Sequence, residues 1–377
     1  MRVPRDAVRR RRLLALATIA VAAAAMGVAV RAGDDDGPRE RRATSSSPTP
    51  RLPLRQAVGQ LLVMSFDGTS APDYIRRRLR EGEGGGVILF GGNVADPVQL
   101  RRLTRSIQRS AHGGALIATD QEGGEIRNVP FAGPVAPQSA LASPEAADAA
   151  AAEAARGLRR VGVNVNLAPV ADVDPPTGGG AFGGRLYPGQ PDQVAYLTAA
   201  AVRAHARVGV AATAKHFPGL GRATVNTDDG SAAIGATRTQ LEAADLEPFR
   251  AAIDADVPLV MAGHAVYPAF DARRIASQSP TLLTDVLRGQ LHFRGVTITD
   301  SIEAQAVLDR SDVATAAVRS IAAGADVVLM TGSGSWNLVY PRLLRAARHS
   351  STFRARVQES AQRVLALKRR LGLSTTR

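Results

Sequence analysis

Cysteine is absent from the 377-residue chain. Disulfides, thiolate metal sites and a lipid-modified N-terminal cysteine are thereby excluded, a composition compatible with an extracytoplasmic enzyme held by its core alone. Lysine is scarce as well. Of 47 Lys plus Arg, only residues 215 and 368 are lysine. A chain that uses Arg almost everywhere else keeps Lys where a compact ammonium is wanted. Aromatic residues make up 4% of the chain, and no basic stripe interleaved with aromatics accompanies the net charge of +13. A nucleic-acid partner is therefore not expected. No His-x-x-x-His pair occurs, and no Gly-x-Gly-x-x-Gly follows the first apolar run. Metal-protease and dinucleotide-binding signatures are both missing.

What is present divides the chain into three parts. Arg9 to Arg12 precede Leu13 to Val30, a run without charge. This pattern fits a secretory signal or an uncleaved membrane anchor over residues 1–32. Its positive flank stays inside, so everything downstream is expected outside the cell membrane, secreted or tethered by that helix. Residues 33–53, with an Asp run and Ser-Ser-Ser-Pro-Thr-Pro, read as a disordered linker. Residues 54–377 have the size for one large core; hydrophobic content of 45% and charge of 21% for the whole chain are ordinary for globular proteins.

From Leu54 onward, short apolar runs alternate with segments of helical spacing. The runs are 60–66, 86–90, 115–119, 163–167, 209–213, 258–261, 295–299 and 325–330. Helical spacing covers Val98 to Ala111, Ala140 to Arg160, Gln193 to Val208 and Thr239 to Ala255. Asp192 is a candidate cap for the third of these, and Thr239-Gln-Leu-Glu242 has the spacing of a capping box. One long helix is expected from Tyr340 to Leu371. Eight strand–helix alternations imply parallel strands joined by right-handed crossovers, closed as a single-domain α/β (β/α)₈ barrel.

In such a barrel the residues just after each apolar run line one mouth. They are Asp67, Gly91-Gly-Asn93, Asp120-Gln-Glu-Gly-Gly124, Asp172, Lys215-His216, His264, Asp300-Ser301 and Thr331-Gly332. Three chemistries can use this set. Carboxylates and histidines, with the Asp172-Val-Asp174 pair, could hold a metal. Lys215 could form a Schiff base. A carboxylate nucleophile, an acid/base group and donors for hydroxyls would suit glycoside hydrolysis.

Asp120-Gln-Glu-Gly-Gly124, Lys215-His-Phe-Pro-Gly219 and Thr299-Asp-Ser301 together resemble the strand-end motifs of family 3 glycoside hydrolases. The likeness is strongest to the short, single-domain bacterial β-N-acetylhexosaminidases of cell-wall turnover, and it spans roughly 54–372. The resemblance implies a retaining exo-glycosidase with a covalent glycosyl-enzyme, acting on N-acetylglucosamine-containing wall glycans as a monomer, without metal or organic cofactor. It implies Asp300 as the nucleophile. Asp120, Lys215, His216 and Arg185 would bind the sugar, with His264 at the same mouth.

Two departures stand out. The family's N-acetylglucosaminidases carry Asp-Ser-His on the loop after strand 5, and that His donates the proton; here the positions are Asn226-Thr227-Asp228. Asp228, followed by Asp229, is the candidate acid/base if its surroundings raise its pKa. A sugar-binding Arg is usual eight residues after the strand 3 Asp, where this chain has Asn128. Arg127, one position earlier, is the substitute, although in an extended segment it faces the other way. Without the loop His, two alternatives remain: a non-hydrolytic wall-sugar-binding homologue, or a β-glucosidase-type exo-glycosidase.

Overall fold

A computed structural model describes residues 51–175 and 180–375. The expected signal or anchor, 1–32, and the linker up to residue 50 lie outside the described residues. Among those described, no helix is long and apolar enough to cross a membrane.

The eight expected strands are present: β1 Leu62–Met64, β2 Gly86–Ile88, β3 Leu116–Thr119, β4 Val165–Asn166, β5 Thr213–Phe217, β6 Leu259–Ala262, β7 Val296–Ser301 and β8 Val327–Leu329. All neighbours pair in parallel, in the order β4-β3-β2-β1-β8-β7-β6-β5. Parallel bridges Val165↔Ala211 and Val170↔Lys215 join the two end strands, so the sheet curls into a nearly closed (β/α)₈ barrel.

The two-residue period of a strand explains the layering. Along β6, Leu259 and Met261 belong to the interior cluster, with Val296, Ile298, Val327 and Leu329 from β7 and β8. The alternate residues Val260, Ala262 and Val328 join the larger cluster that packs under the helices. Val364 and Leu367 also belong to the interior cluster. They come from the last helix, Ser351–Arg370, which plugs the barrel on its side chains. Asp326, fully buried just before β8, fixes that helix by accepting from Arg356 at 2.5 Å and Arg363 at 3.1 Å, while Arg288 donates from the helix after β6 at 2.5 Å.

Several boundaries differ from the sequence reading, each for a local reason. The C-terminal segment is two helices, Trp336–His349 and Ser351–Arg370, because Ser350 leaves the helical region and its hydroxyl caps Phe353 N–H at 3.2 Å. The helix expected from Gln193 starts at Pro191, whose ring presets φ for a first helical residue, with Gln190 rather than Asp192 at the cap. The capping box is two residues early: Thr237 and Gln240 bond each other reciprocally, and Glu242 instead pairs with Arg238 at 2.9 Å. Strand β5 runs to Phe217, so Lys215 and His216 lie inside it rather than after it.

Candidate active site

The mouth of the barrel is built outward from β5. Lys215 points its ammonium between two carboxylates of the β3 motif, donating to Asp120 Oδ1 and Glu122 Oε1 at 2.6 Å each. Arg185, on the loop after β4, grips Glu122 with a two-pronged pair, Nε and Nη2 each at 2.9 Å, and lies over the Phe182 ring at 5.2 Å. Glu122 is therefore a buried anion shared by two cations, which satisfies the demand that a charge out of water be paired and bonded. Burial works against its charge, but Lys215 and Arg185 prevail and hold its carboxyl at about 2. Burial likewise works against the Lys215 ammonium; Asp120 and Glu122 outweigh it and raise the pKa.

His216, the next residue of β5, is held by a different carboxylate. Its Nδ1 bonds Asp172 Oδ2 at 2.7 Å, and Asp172 Oδ1 accepts from the backbone N–H of His216 and of Leu220. Asp172 thus ties β4 to the start of the loop after β5 while fixing the imidazole. The free Nε2 of His216 lies 3.9 Å from Asp300 Oδ2.

Asp300 is the penultimate residue of β7, with Oδ1 accepting from Ser301 N–H at 2.8 Å. Its side chain is 18% exposed, so it is enclosed but reachable. Burial tends to raise its carboxyl, but His216, His264, the Ser301 N–H and Lys215 overcome this and lower it. His264 is fully buried, and both ring nitrogens are used: Nδ1 on Ser277 Oγ and Nε2 on the carbonyl of Ser301, each at 2.8 Å. It braces the strand end that carries Asp300, with no nitrogen left over.

Asp228 arrives from the long loop after β5. That loop is docked rather than free: Gln305 N–H donates to the carbonyl of Asp228 and Ala306 N–H to that of Thr227, each at 3.1 Å. Thr227 itself is buried. Asp228 is exposed at the rim and, with Asp120 and Asp300, lines an open cavity of about 360 Å³. Desolvation by its surroundings and the charge of Asp300 raise its carboxyl, against His216, His264 and Arg185. Two carboxylates on one cavity are thus pushed in opposite directions. This is the split that lets one act as a base or nucleophile and the other as an acid.

Arg127 stands apart from this group. It lies on the short antiparallel hairpin 121–127, and the cavity is lined by its neighbours Ile126 and Asn128 instead, as strand alternation requires. Its Nη1 is buried without a hydrogen-bond partner. Sequence reasoning passed over Glu122 as a site residue, although it follows Asp120 at a spacing of two, which puts both on one side of an extended segment. Asp172 was read as a strand tip, but nothing in the chain order marks it as the partner of His216.

The model of the glycosyl hydrolase family 3 N terminal domain matches residues 53–367. An uncharacterized secreted glycosyl hydrolase of Arthroderma benhamiae is 33% identical over 88% of this chain and 97% of its own length. A β-hexosaminidase of Stenotrophomonas maltophilia is 34% identical over 77% of this chain and 86% of its own. Among solved structures, the family 3 β-N-acetylglucosaminidase of a Paenibacillus strain superposes with a TM-score of 0.81 at 34% identity, covering 86% of this chain; the chain spans 64% of that longer protein. A β-N-acetylhexosaminidase of Beutenbergia cavernae gives 0.78 at 31% identity, over 84% of this chain and 98% of the other. With a family model across almost every described residue and such relatives over most of its length, the chain belongs to glycosyl hydrolase family 3.

Proposed function

We propose that the chain is an exported, retaining exo-β-N-acetylhexosaminidase that removes terminal N-acetylglucosamine from cell-wall glycans. The single observation that carries the catalytic part is that Asp300 and Asp228 line one cavity, where their surroundings push the first carboxyl down and the second up. Asp300 attacks the anomeric carbon as a carboxylate. The glycosidic C–O bond breaks, and the departing oxygen takes the proton held by Asp228. Asp228, now charged, accepts a proton from water; the water oxygen attacks the same carbon and releases Asp300. Lys215 holds Asp120 with one oxygen fixed, so the other can accept from sugar hydroxyls. His216, oriented by Asp172, offers Nε2 beside the reacting carboxylate. Arg185 approaches the sugar across Glu122. The sugar preference follows the named activities of the relatives, and export follows the charged, apolar N-terminus together with the secreted relative.

The test is trapping. The full chain is incubated with a 2-fluoro sugar bearing an excellent leaving group, a substrate that needs no acid, and its intact mass is recorded. One added fluorosugar, mapped by peptide digestion to Asp300, is the expected result. No adduct, or an adduct on another residue, would overturn the assignment; binding without an adduct would favour a sugar-binding protein.

A further inference from the structure

The face that the hairpin 121–127 turns toward the sugar cavity is fixed by its register. Gln121 pairs with Arg127, so the next opposed residues outward are Asp120 and Asn128. The Asn128 N–H donates to the Asp120 carbonyl at 3.2 Å, which continues that register. Opposed residues of an antiparallel pair put their side chains on one face, and the neighbouring pair puts its own on the other. Gln121 shows where that other face points. Its amide is buried in the turn that follows, bonded to Val129 and Gly133. Arg127 shares the face of Gln121. Asp120 and Asn128 share the opposite one, and both line the cavity that holds Asp300. The place on the sugar side expected for Arg127 thus belongs to Asn128.

The two side chains offer complementary groups. Lys215 donates to Asp120 Oδ1, which leaves the other oxygen as an acceptor. Asn128 Oδ1 accepts from the Gly91 N–H at 3.1 Å. A backbone N–H can only donate, so the amide oxygen must face Gly91 and the NH₂ group turns elsewhere. That NH₂ group makes no hydrogen bond among the described residues and stands on a half-buried side chain at the cavity wall. It is a donor held in place with nothing to donate to. Opposed side chains of an antiparallel pair start about 4.5–5.5 Å apart. An acceptor and a donor at that spacing suit two neighbouring hydroxyls of one ring. In a terminal N-acetylglucosamine the neighbouring pair of free hydroxyls is at carbons 3 and 4.

We propose that Asn128 is a specificity-determining donor of the sugar subsite, giving a hydrogen bond to one hydroxyl of the 3,4-diol while Asp120 accepts from the other. This rests on the reading of the cavity as a sugar site. The class so selected is a terminal pyranoside with both of these hydroxyls free. A substituent on either oxygen, or its removal, forfeits one of the two bonds.

The experiment measures binding of the full chain to the methyl β-glycoside of N-acetylglucosamine and to its 3-deoxy, 4-deoxy and 6-deoxy forms by ligand-observed NMR. Asn128→Ala and Asn128→Leu are compared with wild type; Leu keeps the size of the side chain should Ala loosen the hairpin. Wild type is expected to bind the parent about three- to tenfold more tightly than the 3-deoxy and the 4-deoxy sugars. In both variants one of these two preferences should shrink below about twofold while the other persists, and the 6-deoxy ratio should not move. Equal weakening of all four sugars would mean that Asn128 only steadies the Gly91 loop, and would overturn the proposal. So would two preferences that both survive or both vanish in the variants, or a wild type that binds none of the sugars. Binding is read without a nucleophile, so a missing Asp300 adduct in the trapping experiment would sink the catalytic assignment and leave this one standing.

Discussion

Lys215 explains why a chain so rich in Arg retains lysine where it does. Its ammonium is enclosed, and two carboxylates reach it from β3 at 2.6 Å. A planar guanidinium needs more room and presents its donors in a fixed fork, whereas an ammonium can turn three donors to suit. Glu122 is the counterpart. Its carboxyl is held at about 2 against an ordinary 4.5, so it stays charged in the fold at pH values where the unfolded chain is protonated. The folded pKa is depressed, so this contribution is complete above about 4.5 and is lost as the pH falls toward 2. It amounts to roughly 3 kcal/mol. Thermal melts of wild type and Glu122→Gln across that window check it. Wild type should lose melting temperature on acidification more steeply than the variant; parallel curves would contradict the account.

At the scale of elements, the loop after β5 is where fold and chemistry meet. It leaves the strand through Phe217-Pro218-Gly219, is clamped at its start by Asp172 and near its centre by Gln305 and Ala306. Between those clamps, Gly221 passes so close to the segment carrying Asp172 that an added Cβ would stand 2.0 Å from the carbonyl oxygen of Val173. A backbone atom cannot swing aside. Gly221→Ala is therefore expected to destabilise the fold by about 1–3 kcal/mol and to displace Asp228 from the cavity. Melting temperature and kcat on an aryl glycoside should fall together. A variant with both values unchanged would mean that the loop is not held as described. Little of this was legible in the chain. The motif residues marked where the loop begins, but its closure depends on backbone hydrogen bonds to 305 and 306, which carry no side-chain signature.

For the whole molecule, the barrel was legible because each strand is a short apolar run ending in polar residues, and that pattern survives any uncertainty about boundaries. The interior and exterior faces then follow from alternation, as Leu259 and Met261 against Val260 and Ala262 demonstrate. The strand tips were legible for the same reason. Their pairing was not: which carboxylate Lys215 meets, and that Asp172 orients His216, depend on strands 44 and more positions apart becoming neighbours. Asp228 is the sharpest case, since its position was visible but its usefulness depends on desolvation by its folded surroundings and then on the charge of Asp300 across the cavity. The most direct test of that arrangement is the leaving-group dependence of kcat/KM for Asp228→Ala on a series of aryl N-acetyl-β-glucosaminides. The account predicts near wild-type rates with the best leaving groups and a loss of about 10²–10⁴ with the poorest, where proton donation matters. A uniform loss across the series, or none, would contradict it.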